Sequence, residues 1–403
     1  MDKNRKNLVV IGAGYGGITA TLRLARLFRK SPTFRVVLID KHPYHTLKTQ
    51  LHEAAVHKSE VAIDISRLIK KYNIGFQLGV VTAIDLVGKS IVVDDRSIPF
   101  EYLVLALGSQ ANFYNIPGLE QFSIPLQSVS DANRIYERIS VLCAKASTET
   151  NPDRRKAMLR FVVGGGGLTG IELAGEFVEH IVKTTKGYRI PSEEVDVIIV
   201  EAADDIIPSS AKDLRDKIRN ELVEKGVRIL TRTRVVSVSS EGVSLSTGEV
   251  LRAETLVWTG GIRISEVAKQ SGMAIGESGR VRVNEYLQSV TSSNVYAIGD
   301  NALAMNPKTG KPVPAAAQFA LQQGRLVADN LHAVVSGLPQ RPYQPRVWGE
   351  VISLGRHLAA GWVALPIIRK LAFVGFLMSL LKAAIKGKHI FLLRKESRNW
   401  MSY

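Results

Sequence analysis

Gly12-Ala13-Gly14-Tyr15-Gly16-Gly17 lies between the apolar run Leu8-Val9-Val10-Ile11 and a stretch, Ile18 to Phe28, whose apolar residues recur at helical spacing. A further apolar run, Val36-Val37-Leu38-Ile39, follows and closes on Asp40. The order is strand, turn, helix, strand. In a G-x-G-x-x-G turn the first glycine permits the tight turn, the second lets backbone approach a pyrophosphate, and the third lets helix and strand pack closely. Gly12, Gly14 and Gly17 fill those positions. The free N–H groups and positive dipole end of the next helix then favour a diphosphate. Asp40 falls 23 residues after Gly17, about where an acid takes a ribose hydroxyl pair. A glycine turn alone could serve packing; strand, helix and acid in one register point to a dinucleotide.

The same order recurs. Phe161-Val162-Val163 leads into a glycine turn in which Gly165, Gly167 and Gly170 keep the frame, a helix is expected from Gly170 to about Thr184, and Val195 to Val200 closes on Glu201. The interval from Gly170 to Glu201 is 31 residues, and the loop from Tyr188 to Glu194 absorbs the excess. An acid in this position favours a free 2′-hydroxyl and repels a 2′-phosphate, and no arginine follows it at 202 or 203. NADH is therefore expected over NADPH. Two such units with near-continuous apolar strands predict an α/β fold with buried parallel sheets. Further strands are expected over 79–84, 90–93, 102–106, 235–238 and 256–258, and over Asn294 to Asp300, which ends in a Gly-Asp turn. Gly337 to Pro345, with three prolines, marks a boundary before the C-terminal region.

At 403 residues, 45% of them apolar and 22% charged, the chain has the size and make-up of two or three folded domains. Its net charge of +16 calls for an anionic partner, whether nucleic acid, lipid or ligand. Nine of those charges fall in residues 341–403, and outside that tail basic and aromatic residues do not interleave, so nucleic acid is not expected. The single cysteine, Cys143, excludes a disulfide framework, a catalytic cysteine pair and a multi-cysteine metal site. No metal is expected. Met1 to Leu8 is polar and basic, without the apolar stretch of a secretory leader, so a cytoplasmic location is expected.

Two tandem units, with Ala106-Leu107-Gly108 after a strand and Ile298-Gly299-Asp300 downstream, resemble the two-dinucleotide-binding flavoproteins. The finer resemblance, over nearly the whole chain, is to the type II NADH:quinone oxidoreductases. It rests on Gly12–Gly17, Tyr44-His45, Leu51-His52-Glu53, Gly170-Ile171-Glu172 with Gly175-Glu176, Trp258-Thr259-Gly260-Gly261, and Ala317-Gln318-Phe319-Ala320-Leu321-Gln322. The resemblance implies two Rossmann-like dinucleotide-binding domains, one for FAD and one for NADH, plus a C-terminal amphipathic membrane-association region. It divides the chain into FAD segments 1–120 and 285–340, an NADH segment 121–284 and a membrane-anchoring segment 341–403. FAD contacts are implied for Gly12, Gly14, Gly17, Asp40, Lys41, Val81, Gly108, Asp300, Ala317 and Gln318. NADH contacts are implied for Gly165, Gly167, Gly170, Glu201 and Gly261. Gln318 and Gln322, four apart on one helix face, could offer amides to a quinone carbonyl. Glu172 is expected in the first turn of its helix, either near the nicotinamide and flavin or only complementing the dipole. His52 and Glu53 could line the flavin pocket.

Leu371 to Leu381 is an apolar run of 11 residues beside Arg369, Lys370 and Lys382, too short to span a bilayer. It is expected to lie in the interface as an amphipathic helix, with Lys382, Lys386 and Lys388 meeting anionic headgroups, or else to pack as a core or dimer helix. Lys382 loosely matches a family lysine near the quinone. The tail departs from the family pattern in reading Lys388-His389-Ile390-Phe391-Leu392-Leu393 and running on to Trp400 and Tyr403. The expected enzyme is a peripheral flavoenzyme on the cytoplasmic face of the cell membrane, with a homodimer left open. The alternatives are a soluble NADH reductase of ferredoxin, rubredoxin or oxygen, and a flavin-bearing redox sensor.

Overall fold

The computed structural model describes residues 5–364 and 372–397. Lys6–Ile11 forms the middle of a five-stranded parallel sheet, paired on one side with Phe34–Asp40 and on the other with Tyr102–Leu105. Ile74–Leu78 extends the sheet beyond Phe34–Asp40. At the opposite edge lies Val295–Ala297, which returns from far down the chain to pair with Tyr102–Leu105. The helix Tyr15–Leu27 packs against both this sheet and the long helix Ala317–Val335. Its buried residues, Ile18, Leu22 and Leu24 among them, sit at the helical spacing read from the sequence.

A second parallel sheet repeats the plan. Its order is Ile124–Pro125, Thr255–Trp258, Arg160–Gly164, Asp196–Val200 and Val227–Leu230, with Leu168–Gly187 as the helix after the glycine turn. The central strands of both sheets are buried continuous apolar runs, whereas the edge strands Ile74–Leu78 and Val227–Leu230 are partly exposed.

The strand expected over 79–84 is observed as Val81–Asp85, which pairs antiparallel with Ser90–Val93 outside the parallel sheet. Just before it Gly79 donates to Asp40 O, and Val80 donates to the Asp94 carboxylate.

The C-terminal region also differs from expectation. The run expected as one interfacial helix starts as a strand, Ala372–Gly375, paired antiparallel with Ala359–Val363, which in turn pairs with Gly349–Ser353. Gly375, at φ +144°, turns the chain, and the terminal helix covers Phe376–Ser397. Phe373 and Val374 suit a pleated strand, which explains the switch. Arg369, Lys370, Leu371, Trp400 and Tyr403 lie outside the described residues. Met378 and Leu393 of the terminal helix are buried, Leu393 within the core of the first sheet.

Candidate active site

Both glycine turns are shaped for a diphosphate. Gly12 adopts φ +100° and Gly165 φ +111°; an added Cβ would lie 2.2 Å from Ala106 O in the first case and 2.6 Å from Gly260 in the second. Gly17 and Gly170 press on the carbonyls of Gly12 and Gly165, the close helix–strand packing expected of the third glycine. Gly14 and Gly167 have open space before them. Each is the N-cap of its helix and no side chain caps either helix, so the first N–H groups are presented to whatever binds there. The residues present therefore fit two dinucleotides.

The two acids behave alike. Asp40 accepts Ala13 N at 2.6 Å and His42 N at 2.8 Å. Glu201 accepts Gly166 N at 2.5 Å and Ala203 N at 2.7 Å. Each carboxylate thus sits on its own glycine turn. Lys41, next to Asp40, is exposed, whereas Val81 is buried in its antiparallel sheet. Asp300 accepts the Ser109 hydroxyl at 2.6 Å, and the Asn301 amide brackets Gly108, accepting its N–H at 2.9 Å. These bonds tie the Gly-Asp turn to the turn after Tyr102–Leu105. Gly261 lies beneath Tyr114, whose hydroxyl would be 2.1 Å from an added Cβ.

Ala317, Gln318 and Gln322 open the helix Ala317–Val335. Both amides are engaged by backbone. Gln318 accepts Trp348 N at 3.0 Å and donates to Gly349 O at 3.2 Å; Gln322 accepts Arg346 N at 2.9 Å and donates to Arg346 O at 2.8 Å. The shared helix face is as expected, and its observed partner is the strap 346–349.

Glu172 lies beyond the first turn of its helix, because that helix begins at Leu168 and not at Gly170. Its carboxylate does not serve the dipole. It accepts Ser353 N at 3.1 Å and Lys382 Nζ at 2.9 Å, with His52 Nδ1 3.5 Å away. Lys382 also donates to His52 Nε2 at 2.9 Å. Burial pushes the Glu172 carboxyl up, but the charges on His52 and Lys382, with the Lys382 and Ser353 hydrogen bonds, hold it below the usual carboxylate range. Burial pushes the His52 imidazole down against the pull of Glu172. Next to it Glu176 bonds His57 at 2.9 Å and the Ser353 hydroxyl at 3.2 Å, and Lys386 bonds Glu53 at 3.2 Å. Lys382 and Lys386 therefore turn inward to carboxylates, a correction to their expected role at lipid headgroups. The pair Lys382–Glu172 is mostly withdrawn from solvent, and the pair Lys386–Glu53 is partly exposed. Only Lys388 of the three is exposed, 5.8 Å from the Trp348 ring centre.

Sequence reasoning missed Ser353, His57 and His389. Glu172 and Glu176, four apart on one helix face, were the signal for the first two. His389 leaves no such signal: it arrives with the terminal helix, its ring 4.7 Å from that of Tyr15 and its Nε2 3.4 Å from that of the fully buried His45. His45 holds Ala13 O at 2.7 Å, and burial lowers its pKa to about 4.

Over 369 residues the chain is 28% identical to a type II NADH:quinone oxidoreductase of Staphylococcus saprophyticus, covering 90% of this chain and 91% of that one. Its fold matches NDH2 from Plasmodium falciparum, solved with NADH, at TM-score 0.83 and 17% identity over 98% and 99% of the two chains. It also matches the sulfide:quinone oxidoreductase of Aquifex aeolicus, at TM-score 0.78 and 21% identity over 97% and 92%. Cys143 is the one cysteine of the sequence, so the chain carries no cysteine pair; it is buried, and burial pushes its thiol up to about 11. The family model described as pyridine nucleotide-disulphide oxidoreductase matches residues 6–324, and the chain belongs to that family of oxidoreductases.

Proposed function

We propose that this protein oxidises NADH through FAD and reduces a quinone at a membrane surface. The observation that carries the reading is the pair of uncapped helices, each behind a glycine turn and each beside an acid, in two parallel sheets of one chain. FAD, when bound, supplies two-electron exchange between the nicotinamide and the acceptor. Gly12, Gly14, Gly17, Asp40, Lys41, Val81, Gly108, Asp300, Ala317 and Gln318 are assigned to it. Gly165, Gly167, Gly170, Glu201 and Gly261 are assigned to NADH. Gln318 and Gln322 are assigned to the quinone side, which requires the strap 346–349 to share them or move. Glu172 and Lys382 are assigned to the transfer of protons there.

Membrane attachment rests on the terminal region. Phe373, Phe376, Leu377, Leu380, Ile385 and Phe391, with Val347 and Trp348, are exposed, and Leu377 is 79% so. Exposed apolar side chains grouped in this way mark an interaction surface. Among the described residues no helix is long and apolar enough to cross a membrane; the attachment proposed is peripheral, on the cytoplasmic face. The test is NADH oxidation by the FAD-loaded protein with menaquinone and ubiquinone analogues, against oxygen alone. Turnover with oxygen that no quinone accelerates would overturn the reading.

A further inference from the structure

Ala13 sits between the first two glycines of the first nucleotide turn, and side chains hold both of its polar backbone atoms. Its N–H donates to Asp40 at 2.6 Å, and its carbonyl lies 2.7 Å from His45 Nδ1. A carbonyl can only accept, so Nδ1 carries a hydrogen. Burial lowers the pKa of His45 to about 4, so at neutral pH the ring has that one hydrogen and its Nε2 is a bare acceptor. His45 is fully buried, where an acceptor left without a donor is costly. The group facing this Nε2 is the Nε2 of His389, 3.4 Å away on the terminal helix. Burial lowers His389 too, to about 3. His389 is therefore neutral as well, and its Nε2–H supplies the one hydrogen between the rings.

The Ala13 carbonyl in turn fixes its neighbour. In a trans peptide the carbonyl and the following N–H point in opposite directions, and among the described residues no peptide bond is cis. With Ala13 O turned to His45, Gly14 N–H is turned away from it, at the uncapped start of the helix Tyr15–Leu27. Gly14 stands at φ −68°, but glycine accepts either sign of φ, so its own backbone leaves this peptide plane free to flip. His45 is the side chain that restrains it.

We infer that His389 sets, through His45, the orientation of the Ala13–Gly14 peptide against which FAD binds, so that the terminal helix forms part of the FAD site. The inference rests on the assignment of the first glycine turn to FAD. Both histidines are positioning residues, and neither needs to touch the cofactor. Without the His389 donor, the hydrogen of His45 is drawn to Nε2, and Nδ1 then faces Ala13 O as acceptor against acceptor. The hydrogen bond made by one ring nitrogen thus decides what the other can do. Tyr15 holds the two rings together: its ring centre is 4.7 Å from that of His389 and 5.3 Å from that of His45, and its hydroxyl is 2.7 Å from Thr49 Oγ1. Asp40 also faces His45, and Arg325 of the helix Ala317–Val335 faces His389. His389 stands in Lys388–Leu393, the stretch in which the tail departs from the family pattern.

The test follows release of FAD from the full-length, FAD-loaded protein on dilution, read as fluorescence of the freed flavin. His389→Phe keeps an aromatic ring against Tyr15 but offers no N–H, and release should quicken about tenfold. His389→Gln puts an amide N–H where Nε2 stood and should release flavin at the wild-type rate. His45→Asn keeps a donor for Ala13 O and has no counterpart of Nε2, so in that background His389→Phe should have no further effect. A general loosening of the tail would instead make Phe and Gln behave alike and leave the two changes additive. A second measurement needs no variant: nitrogen NMR of the histidine-labelled protein should show His45 as the Nδ1–H tautomer. In His389→Phe that signal should move towards Nε2–H. A wild-type His45 in the Nε2–H form overturns the inference, as does wild-type release in His389→Phe. So do equal effects of Phe and Gln, or an undiminished effect in the His45→Asn background. Wild-type protein that holds no flavin would overturn the assignment of the turn, and the inference with it.

Discussion

Glu201 already holds two backbone amides on the glycine turn, so a 2′-phosphate arriving there meets a fixed negative charge. NADH should be used in preference to NADPH, and Glu201→Gln should narrow the gap chiefly through KM; equal wild-type kcat/KM with both cofactors would remove Glu201 from the ribose site. Lys382 and Glu172 give a second case. With both side chains mostly buried, Lys382→Met strands a carboxylate against His52, at a cost of about 3 kcal/mol, the low end for a buried pair. The sign with pH follows from the lowered Glu172 pKa. A depressed carboxyl stabilises the fold above its unfolded value, and that stability is lost as pH falls through the folded one. The loss of thermal midpoint in Lys382→Met should therefore be largest near neutral pH and shrink in acid, and a gap that stays constant would mean that Glu172 is not charged there. The acids, glycines and glutamines were legible in the sequence because spacing carries their meaning. His389 was not, since it reaches Tyr15 and His45 through tertiary packing of a distant element.

The strap 346–349 shows what element-scale reading could and could not reach. Ala317 to Gln322 is legible as a helix start, and the i, i+4 glutamines do share a face. That the face is bonded to backbone thirty residues downstream depends on how the strand Gly349–Ser353 is seated against the second nucleotide helix. Gln318→Ala removes two such bonds, each worth about 0.5–1.5 kcal/mol. Quinone reduction should fall several-fold while NADH-driven flavin bleaching stays near wild type. An equal loss in both half-reactions would assign Gln318 to folding or flavin retention. The apolar run of the tail was misread for a related reason: composition gave its hydrophobicity, but the division into the strand Ala372–Gly375 and the helix Phe376–Ser397 depends on the neighbouring strand Ala359–Val363.

For the molecule as a whole, the surplus of charge and the exposed apolar face lie in the same region, but attachment cannot be tested by cutting the tail off. Leu393 and Met378 belong to the folded interior, so truncation would damage the enzyme along with its anchor. Substitution of exposed residues separates the two. Phe376→Ser, Leu377→Asp and Leu380→Ser together should release the protein from vesicles containing anionic lipid and leave its flavin content unchanged. High salt should extract the unaltered protein only partly, because charge is screened within a Debye length of about 8 Å and apolar burial is not. Retention of the triple variant on vesicles would mean that this face does not meet lipid. At this scale the duplicated plan was legible from the repeated glycine frame.

The strand Val295–Ala297 carries a consequence for biosynthesis. Its partner Tyr102–Leu105 leaves the ribosome almost two hundred residues earlier, and until residue 297 follows, that partner has an open, apolar edge of the kind that invites wrong pairing. The second sheet, whose five strands all lie between Ile124 and Trp258, can meanwhile close by itself. The unit translated first is thus finished last, once Val295–Ala297 and then Leu393 have reached it, and a nascent chain stalled between the two sheets exposes the surface most in need of a chaperone.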